Sequence, residues 1–346
     1  MRTLGVVKRL FLTVMLIAWC FSFPVSAFAQ NMPIERIVTF GTSLSDPGNA
    51  FVVLSDPESF GFNAGCNPGV PVNTPPYDAL DVLIIPDSAY AKGGHHLSNG
   101  ATWVEQLARN KGLGGNALPA LRDEGVPASN YAIGGARSVD FDCRFNLDDQ
   151  LNRYLNDFPQ TSDATLFILE LGGNDIRDAL VRLAAGEDIG AIIAAAIIPA
   201  LSSIGDTVVQ LYGHGARQFM LVNVPSVGET PALKILESRF PGAIFAANSL
   251  NSVFNAGLIE LQNSFQGLPG IEVRMLDLDT LLKGAIADPS PFGIINTDDA
   301  CVTPNIPPFQ CRNPDTYLFW DGIHPTKAVH GFIAIEAAEV LSMPTP

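Results

Sequence analysis

The sequence predicts an α/β fold in which helices cover both faces of a parallel β-sheet. Short apolar runs have the length and composition of strands that are buried on both faces. There are five such runs, at residues 37–40, 131–133, 166–171, 219–224 and 271–276. Segments with helical spacing lie between them, and strands that alternate with helices are typical of a parallel sheet.

Apolar side chains recur every three or four positions in the segments that predict helices, at residues 101–110, 188–212, 248–264 and 328–341. Pro199 is expected to interrupt the second of these. The apolar core of that segment is shorter than the roughly 20 residues that a membrane span needs, so we expect it to pack against the protein core. Residues 55–100 and 288–313 are irregular and predict long loops near a site.

The N-terminus has the pattern of a secretory signal peptide. Basic residues near the start precede an apolar stretch that is too short to span a bilayer comfortably, and the small-x-small site Ala27-Phe28-Ala29 follows. We therefore expect residues 1–29 to be removed and the protein to be secreted or periplasmic, with no stable membrane anchor. An uncleaved anchor is the alternative.

The four cysteines beyond residue 29 predict two disulfides, because an even number in an exported protein is typical of paired thiols. Three pairings are possible. The short spacing makes Cys301–Cys311 the natural local pair, which leaves Cys66 with Cys143. Free buried thiols are the alternative. No Cys or His spacing typical of a metal site occurs, and we expect neither a metal nor an organic cofactor.

Composition and charge exclude several classes of protein. The chain has 47% hydrophobic residues, which excludes intrinsic disorder. Its 20 Lys and Arg against 35 Asp and Glu give a formal net charge of −15. A field of this sign repels phosphate backbones, so we expect no nucleic-acid partner.

The sharpest candidate site is the segment Asp321-Gly-Ile-His324-Pro. Two intervening residues allow the Asp321 carboxylate to fold back onto the imidazole of His324, hold its Nδ1–H and leave Nε2 free to take a proton. A serine nucleophile needs such a base. Taken alone, the segment fits a surface loop with a helix-capping acid equally well.

Three further segments follow predicted strands, where open α/β sheets build their sites. Ser43 follows the first strand. The segment Gly172-Gly173-Asn174-Asp175 offers the Asn174 amide as an oxyanion donor, and Gly134-Gly135 offers a backbone N–H. Each segment alone is more simply a turn. The Gly-x-Ser-x-Gly mark of α/β-hydrolases is absent.

Taken together and in order, these segments resemble the blocks of the GDSL or SGNH hydrolases. The family's first block normally reads Gly-Asp-Ser-Leu-Ser-Asp-x-Gly-Asn, and residues 41–49 read Gly-Thr-Ser-Leu-Ser-Asp-Pro-Gly-Asn. Residues 130–136, 172–175 and 321–326 are similar to the later blocks, and residues 98–103 are a lesser echo. The resemblance covers nearly the whole chain beyond the signal peptide.

This resemblance implies a flavodoxin-like three-layer α/β/α sandwich with a central five-stranded parallel sheet. It also implies a serine ester hydrolase of the carboxylesterase or lipase type. Ser43 would be the nucleophile, His324 the base and Asp321 the residue that orients the base. The backbone N–H groups of Ser43 and Gly135 and the side chain of Asn174 would form the oxyanion hole. Ser43 and His324 must meet, so we expect one domain over residues 30–346.

We expect a small-molecule or lipid ester as the substrate and a monomeric protein. An acyltransferase with the same triad, a carbohydrate acetylesterase and a non-catalytic secreted binding protein remain alternatives. Thr42 stands where the family usually has Asp, so the support of the Ser43 loop is expected to differ. Glu170 is expected to be a half-buried hydrogen-bonding partner near the site without a catalytic role. His95 and His96 are expected in an exposed loop.

Overall fold

Four parallel strands form the central sheet, in the order β1 (Arg36–Gly41), β2 (Thr165–Glu170), β3 (Gln218–Val222) and β4 (Glu272–Leu276). The structure, a computed structural model, describes residues 32–60, 75–78, 80, 95–122 and 128–343. The expected signal peptide lies outside these residues. The predicted α/β class with a parallel sheet is confirmed, and each strand lies within two residues of a predicted apolar run.

The fifth predicted strand is only partly formed. Three backbone hydrogen bonds of 2.8–3.1 Å join residues 129–133 to β1 in a parallel sense, with a bridge at Asn130. On the outer side, the carbonyls of Asn130 and Ala132 accept from the side chain of Asn49. With this segment included, the spatial order in chain numbering is 2-1-3-4-5, the order of flavodoxin-like folds.

The described part of the chain contains ten α-helices. In chain order they are α1 (Asn49–Ser55), α2 (Trp103–Asn110), α3 (Leu147–Asp157), α4 (Gly173–Ala184), α5 (Ile189–Ile192), α6 (Ile198–Gly213), α7 (Pro231–Arg239), α8 (Ala243–Ser264), α9 (Leu278–Ala287) and α10 (Lys327–Ser342). The four predicted helices correspond to α2, α5 with α6, α8 and α10. Shorter 3₁₀ turns join several of these elements.

Alternate strand residues face two separate cores, which makes the fold three-layered. Phe40, Phe167 and Phe219 point to one core, where α1, α3, α4, α5, α6 and α8 contribute apolar side chains. Ile168 and Met220 point to the other, where α2, α9 and α10 pack. The period of two along each strand explains this division, since successive side chains leave opposite faces of the sheet.

A π-helical segment, Ile193–Ile197, joins α5 to α6. Pro199 lies in the first turn of α6, where its missing N–H is tolerated, so the proline is accommodated without the predicted break. Among the described helices, Ile189–Gly213 alone is long and apolar enough to cross a membrane, with a mean hydropathy of 1.9. Its residues Ile192 and Ile197 are buried in the first core, and 39% of the apolar window is buried in all.

A second, two-stranded parallel sheet consists of β5 (Asn296–Ala300) and β6 (Tyr317–Phe319). Residues 288–313, expected to be irregular, therefore contain a strand. The predicted disulfide Cys301–Cys311 is present, with an S–S distance of 2.01 Å. Cys143 is also disulfide-bonded, and its expected partner Cys66 lies outside the described residues.

Candidate active site

The candidate site lies where β1 and β2 end side by side. Gly41 and Glu170, the last residues of the two strands, are paired in the sheet register. Because residues 129–133 run along the other side of β1, the chain order reverses between β1 and β2. In open α/β sheets, ligands bind beyond the carboxyl ends of the strands at such a point.

A cavity of about 430 Å³ opens at this edge and brings three of the predicted residues together. Ser43, Asn174 and His324 all line it. Asp321 lies behind His324, and Gly135 is also outside the lining. Leucine, phenylalanine and other apolar side chains make up most of the remaining wall, including Leu233, Leu236, Leu281, Leu282, Phe292 and Phe332.

Asp321 and His324 form a buried pair. One carboxylate oxygen of Asp321 lies 2.7 Å from Nδ1 of His324, and the other accepts the backbone N–H groups of His324 at 2.8 Å and Ile323 at 2.9 Å. An acceptor at Nδ1 assigns the proton to that nitrogen. Nε2 of His324 is buried and hydrogen-bonds to no described atom, so it is free to accept a proton.

Residues 98 and 99 brace the histidine loop from a distant part of the chain. The Ser98 hydroxyl donates to the carbonyl of Pro325 at 2.8 Å. The backbone N–H of Lys327 donates to Asn99 Oδ1 at 2.7 Å. Residues 98 and 99, which belong to the segment 98–103 that resembles the family pattern, therefore hold the start of α10 just after His324.

Ser43 sits in the loop that follows β1. Its side chain is half-buried. Since Nε2 of His324 bonds to no described atom, Ser43 and His324 are not directly hydrogen-bonded, and catalytic bonds of this kind often tighten only in the complex with substrate. Gln150 anchors the end of β1 from α3: its side chain accepts the N–H of Gly41 at 2.8 Å and donates to the Gly41 carbonyl at 3.0 Å.

The buried carboxylate of Asp46 ties the first block to the second. It accepts backbone N–H groups from Gly48, Asn49 and Ala50 at 2.6–3.1 Å, and from Gly134 at 2.8 Å. Burial raises the pKa of Asp46 to about 6, and these four N–H donors act against that rise because they favour the charged form. No local sequence pattern indicated this role for Asp46.

Two of the predicted oxyanion donors lie near each other. The Asn174 amide donates to the carbonyl of Ala136 at 2.8 Å, which links the second block to the third. Gly135 adopts a positive φ of 83°, and its N–H donates to none of the described atoms. Gly172 adopts a φ of 111° and packs so closely on the ring of Phe254 that a Cβ would clash there, which places the start of α4 against α8.

Glu170 is more deeply buried than expected, with 6% of its surface exposed. Its carboxylate accepts the backbone N–H of Thr42 at 3.0 Å and the Thr42 hydroxyl at 2.9 Å and 3.1 Å. Burial raises the pKa of Glu170 to about 7, while hydrogen bonds from Thr42 and Ser45 and the nearby His324 lower it. A hydrogen-bonding role for Glu170 was expected, but no local pattern indicated Thr42 as its partner.

The histidines outside the pair have structural contacts. The expectation of an exposed loop is wrong for His96, which is buried with Nε2 2.8 Å from the Glu105 carboxylate. His95 stacks on Phe51 with ring centroids 3.9 Å apart. His330 is fully buried, and burial lowers its pKa to about 3. Within the described ranges, no group of three or more His, Cys, Asp or Glu side chains is placed to hold a metal ion.

Comparison with known proteins shows the family to which the chain belongs. A family model described as GDSL-like Lipase/Acylhydrolase matches residues 37–337, so the chain belongs to that family. The family resemblance inferred from the motif blocks is thereby confirmed.

Three relatives illustrate the range of the family. The chain is 23% identical to the thermolabile hemolysin of Vibrio parahaemolyticus, over 90% of this chain and 65% of that protein. It is 24% identical to a phosphatidylcholine-sterol acyltransferase of Aeromonas hydrophila, over 91% of this chain and 92% of that protein. A GDSL esterase/lipase of Arabidopsis thaliana is 31% identical over 39% of this chain and 40% of its own length. The chain thus spans less than two thirds of the first and third of these relatives.

Proposed function

We propose that the chain is an exported carboxylic-ester hydrolase that acts on esters with extended acyl chains through Ser43, His324 and Asp321. One observation carries the proposal. The buried Asp321–His324 pair, 2.7 Å apart, presents an unbonded Nε2 at a cavity that Ser43 and Asn174 also line. This is the arrangement that nucleophilic acyl transfer requires.

In the proposed reaction, the Ser43 hydroxyl rotates toward Nε2 of His324 and attacks the ester carbonyl carbon while His324 takes its proton. Asp321 stabilises the imidazolium that forms. The tetrahedral intermediate collapses, the C–O bond to the alcohol breaks, and His324 returns the proton to the leaving alcohol. Water, activated by His324, then hydrolyses the acyl-Ser43 ester and regenerates the free hydroxyl.

The developing oxyanion would be held by the backbone N–H groups of Ser43 and Gly135 and by the Asn174 amide. A side-chain amide carries two N–H donors. The bond from Asn174 to the Ala136 carbonyl uses one and fixes the orientation of the group, which leaves the second for the oxyanion. Such a preorganised donor is effective because it does not reorganise during the reaction.

The apolar wall of the cavity supports an acyl-chain ester over an acetylated sugar. At about 430 Å³, the cavity lies within the range of small-molecule sites, and it is lined largely by leucine, isoleucine and phenylalanine side chains. Each methylene buried there contributes about 0.8 kcal/mol, equivalent to roughly fourfold in kcat/KM. An acetyl group would leave most of this surface without a partner.

Export is supported by the N-terminal sequence pattern and by the disulfide chemistry. Cys301–Cys311 and the disulfide of Cys143 are bonds that persist in oxidising compartments. The proposed location is therefore the periplasm or the outside of the cell, after removal of residues 1–29. We propose that it acts as a monomer.

An acyltransferase is the second candidate function, favoured by the acyltransferase relative that aligns over 91% of this chain. An alcohol would then replace water in the second step. Adding a long-chain alcohol or a sterol to the assay and measuring the ester formed against the acid released separates the two activities.

Covalent labelling tests the proposed nucleophile. A fluorophosphonate probe is expected to modify the protein once, and peptide mass spectrometry should place the adduct on Ser43. The variant Ser43→Ala should remain unlabelled while it keeps its folded circular dichroism spectrum. An unlabelled wild-type protein that hydrolyses no ester would contradict the proposal.

A further inference from the structure

We propose that Glu170 is a positioning residue of this ester-hydrolysis site, which holds the Ser43 loop through a two-donor contact with Thr42. The inference rests on the proposed function. Glu170 takes no direct part in the chemical steps. It fixes the residue that immediately precedes the nucleophile.

The contact constrains both the backbone and the side chain of Thr42. The carboxylate accepts the backbone N–H at 3.0 Å and the hydroxyl at 2.9 Å. Two donors from one residue define the direction of the Thr42 peptide and the rotamer of its side chain. Since Ser43 is the next residue, a shift of Thr42 would displace the nucleophile from the imidazole by a similar amount.

Glu170 is suited to this role because its own position is rigid. It ends β2, between β1 and β3, and lies opposite Gly41 in the sheet register. A Cβ at position 41 would lie 3.1 Å from a carboxylate oxygen of Glu170, tighter than an ordinary contact. Glycine at position 41 therefore leaves room for the buried carboxylate beside the end of β1.

Thr42 and Glu170 are chemically complementary although they are 128 residues apart in sequence. An aspartate at position 42 would place a second carboxylate about 3 Å from Glu170, in a region from which water is largely excluded. Like charges at that separation cannot both ionise readily. Threonine supplies a neutral hydroxyl donor instead, which gives a physical reason for the departure from the family pattern at this position.

Glu170 also lies where its charge acts on the base. Among its described neighbours, the Glu170 carboxylate interacts with the backbone N–H of Thr42, with the hydroxyls of Thr42 and Ser45, and electrostatically with the titratable side chain of His324. Ionised Glu170 accepts both Thr42 donors, whereas protonation places a hydrogen on one carboxylate oxygen and weakens that contact. The acid limb of the kcat/KM profile should therefore be steeper than a single ionisation allows.

A double-mutant cycle tests the pair. Glu170→Gln is expected to lower kcat about tenfold with little change in KM, and to reduce the acid limb to a single ionisation. Thr42→Asp is expected to lower kcat/KM about 100-fold, because the new carboxylate would lie next to that of Glu170. In the Thr42→Asp/Glu170→Gln double variant the Gln amide can donate to Asp, so the loss should be at least tenfold smaller than the product of the single losses.

Glu105→Gln is a matched control. Glu105 accepts the N–H and hydroxyl of Thr102 at 2.8 Å and 3.1 Å, the same type of contact, but it lies at the start of α2 and outside the cavity lining. This variant should lower the melting temperature without altering the pH profile. If Glu170→Gln behaves in the same way, or if the cycle is additive, Glu170 has no positioning role.

Fluorophosphonate labelling separates failure of this inference from failure of the proposed function. An unlabelled and inactive wild-type protein refutes the nucleophile itself. A labelled, active wild-type protein with an additive cycle refutes only the role of Glu170. If Glu170→Gln does not fold, Thr42→Val removes the hydroxyl and keeps the shape, and it should still lower kcat. Unchanged kcat in that variant would overturn the inference.

Discussion

The carboxylate of Asp321 holds both the backbone and the ring of His324. One oxygen accepts the His324 N–H at 2.8 Å, and the other lies 2.7 Å from Nδ1. The same side chain therefore shapes the turn and orients the imidazole within it. This explains how a spacing of only two residues places an oriented imidazole at the rim of the cavity.

Asp321→Asn is expected to lower kcat by about 10³–10⁴-fold, because the amide can donate to Nδ1 and favour the wrong tautomer. The fold should persist, since the amide oxygen can still accept the backbone N–H groups. Ester hydrolysis and thermal melting, measured together, check this. Asp188→Asn, at the exposed N-cap of α5, is the control and should leave kcat unchanged. A loss of less than tenfold at position 321 would argue against the pair as the base.

Asn174→Ala is expected to reduce kcat about 10²–10³-fold with a small effect on KM, since an oxyanion donor acts mainly in the transition state. Asn116→Ala is a suitable control, because Asn116 accepts the N–H of Ile37 at 3.1 Å near the opposite end of β1. That variant should lose stability and keep its kcat. Equal effects of the two substitutions on kcat would exclude an oxyanion role for Asn174.

Ala285→Phe tests the acyl cavity. Ala285 is buried and lines the cavity wall, so a phenyl ring there should shorten the chain that fits. We expect kcat/KM for palmitate esters to fall at least tenfold while that for acetate esters changes little. Val209→Phe, on an exposed position of α6, should leave the chain-length profile unaltered. A uniform loss over all chain lengths in Ala285→Phe would indicate a folding defect instead.

The stability of the protein should depend on pH through its buried carboxyls. Folding raises the pKa of Asp46 from 3.8 to about 6 and that of Glu170 from 4.5 to about 7. Between these values the folded chain binds more protons than the unfolded chain. The contribution of these groups to the free energy of unfolding is therefore full below pH ~4 and is lost as the pH rises to about 7.

Buried His330 acts in the opposite direction, because folding lowers its pKa from 6.5 to about 3 and its contribution is lost as the pH falls. Comparing the unfolding free energy of the wild type with that of Glu170→Gln isolates the contribution of the Glu170 carboxyl. In urea unfolding at pH 4–8, the wild type should lose roughly 3 kcal/mol relative to this variant as the pH rises. Parallel curves for the two proteins would show that the Glu170 pKa is not raised.

The sequence predicted the parallel sheet well because its strands are continuous apolar runs with few competing interpretations. Residues 131–133 are the exception. They are apolar, but their outer edge carries only an isolated bridge to Pro119 and bonds from the Asn49 side chain. The side chain of Asn49 lies 81 residues away in sequence from Asn130, so the local pattern around residues 131–133 does not reveal it.

The site was predictable where its chemistry is local. The two-residue spacing of Asp321 and His324 predicted their contact, and the ordered motif blocks predicted Ser43, Gly135 and Asn174 as candidate site residues. The contacts that support them were not predictable, because Glu170 meets Thr42 across 128 residues. No local pattern showed that a side chain of β2 would hold the turn that contains Thr42.

The most direct test of the central claim is the hydrolysis of p-nitrophenyl esters, from acetate to palmitate, by the wild-type protein and by Ser43→Ala. We expect kcat/KM of the wild type to rise about threefold to fourfold per methylene until the cavity is filled. Ser43→Ala should lose at least three orders of magnitude on every ester. Equal rates from the two proteins, or no hydrolysis of any ester by the wild type, would contradict the assignment of Ser43 as the nucleophile.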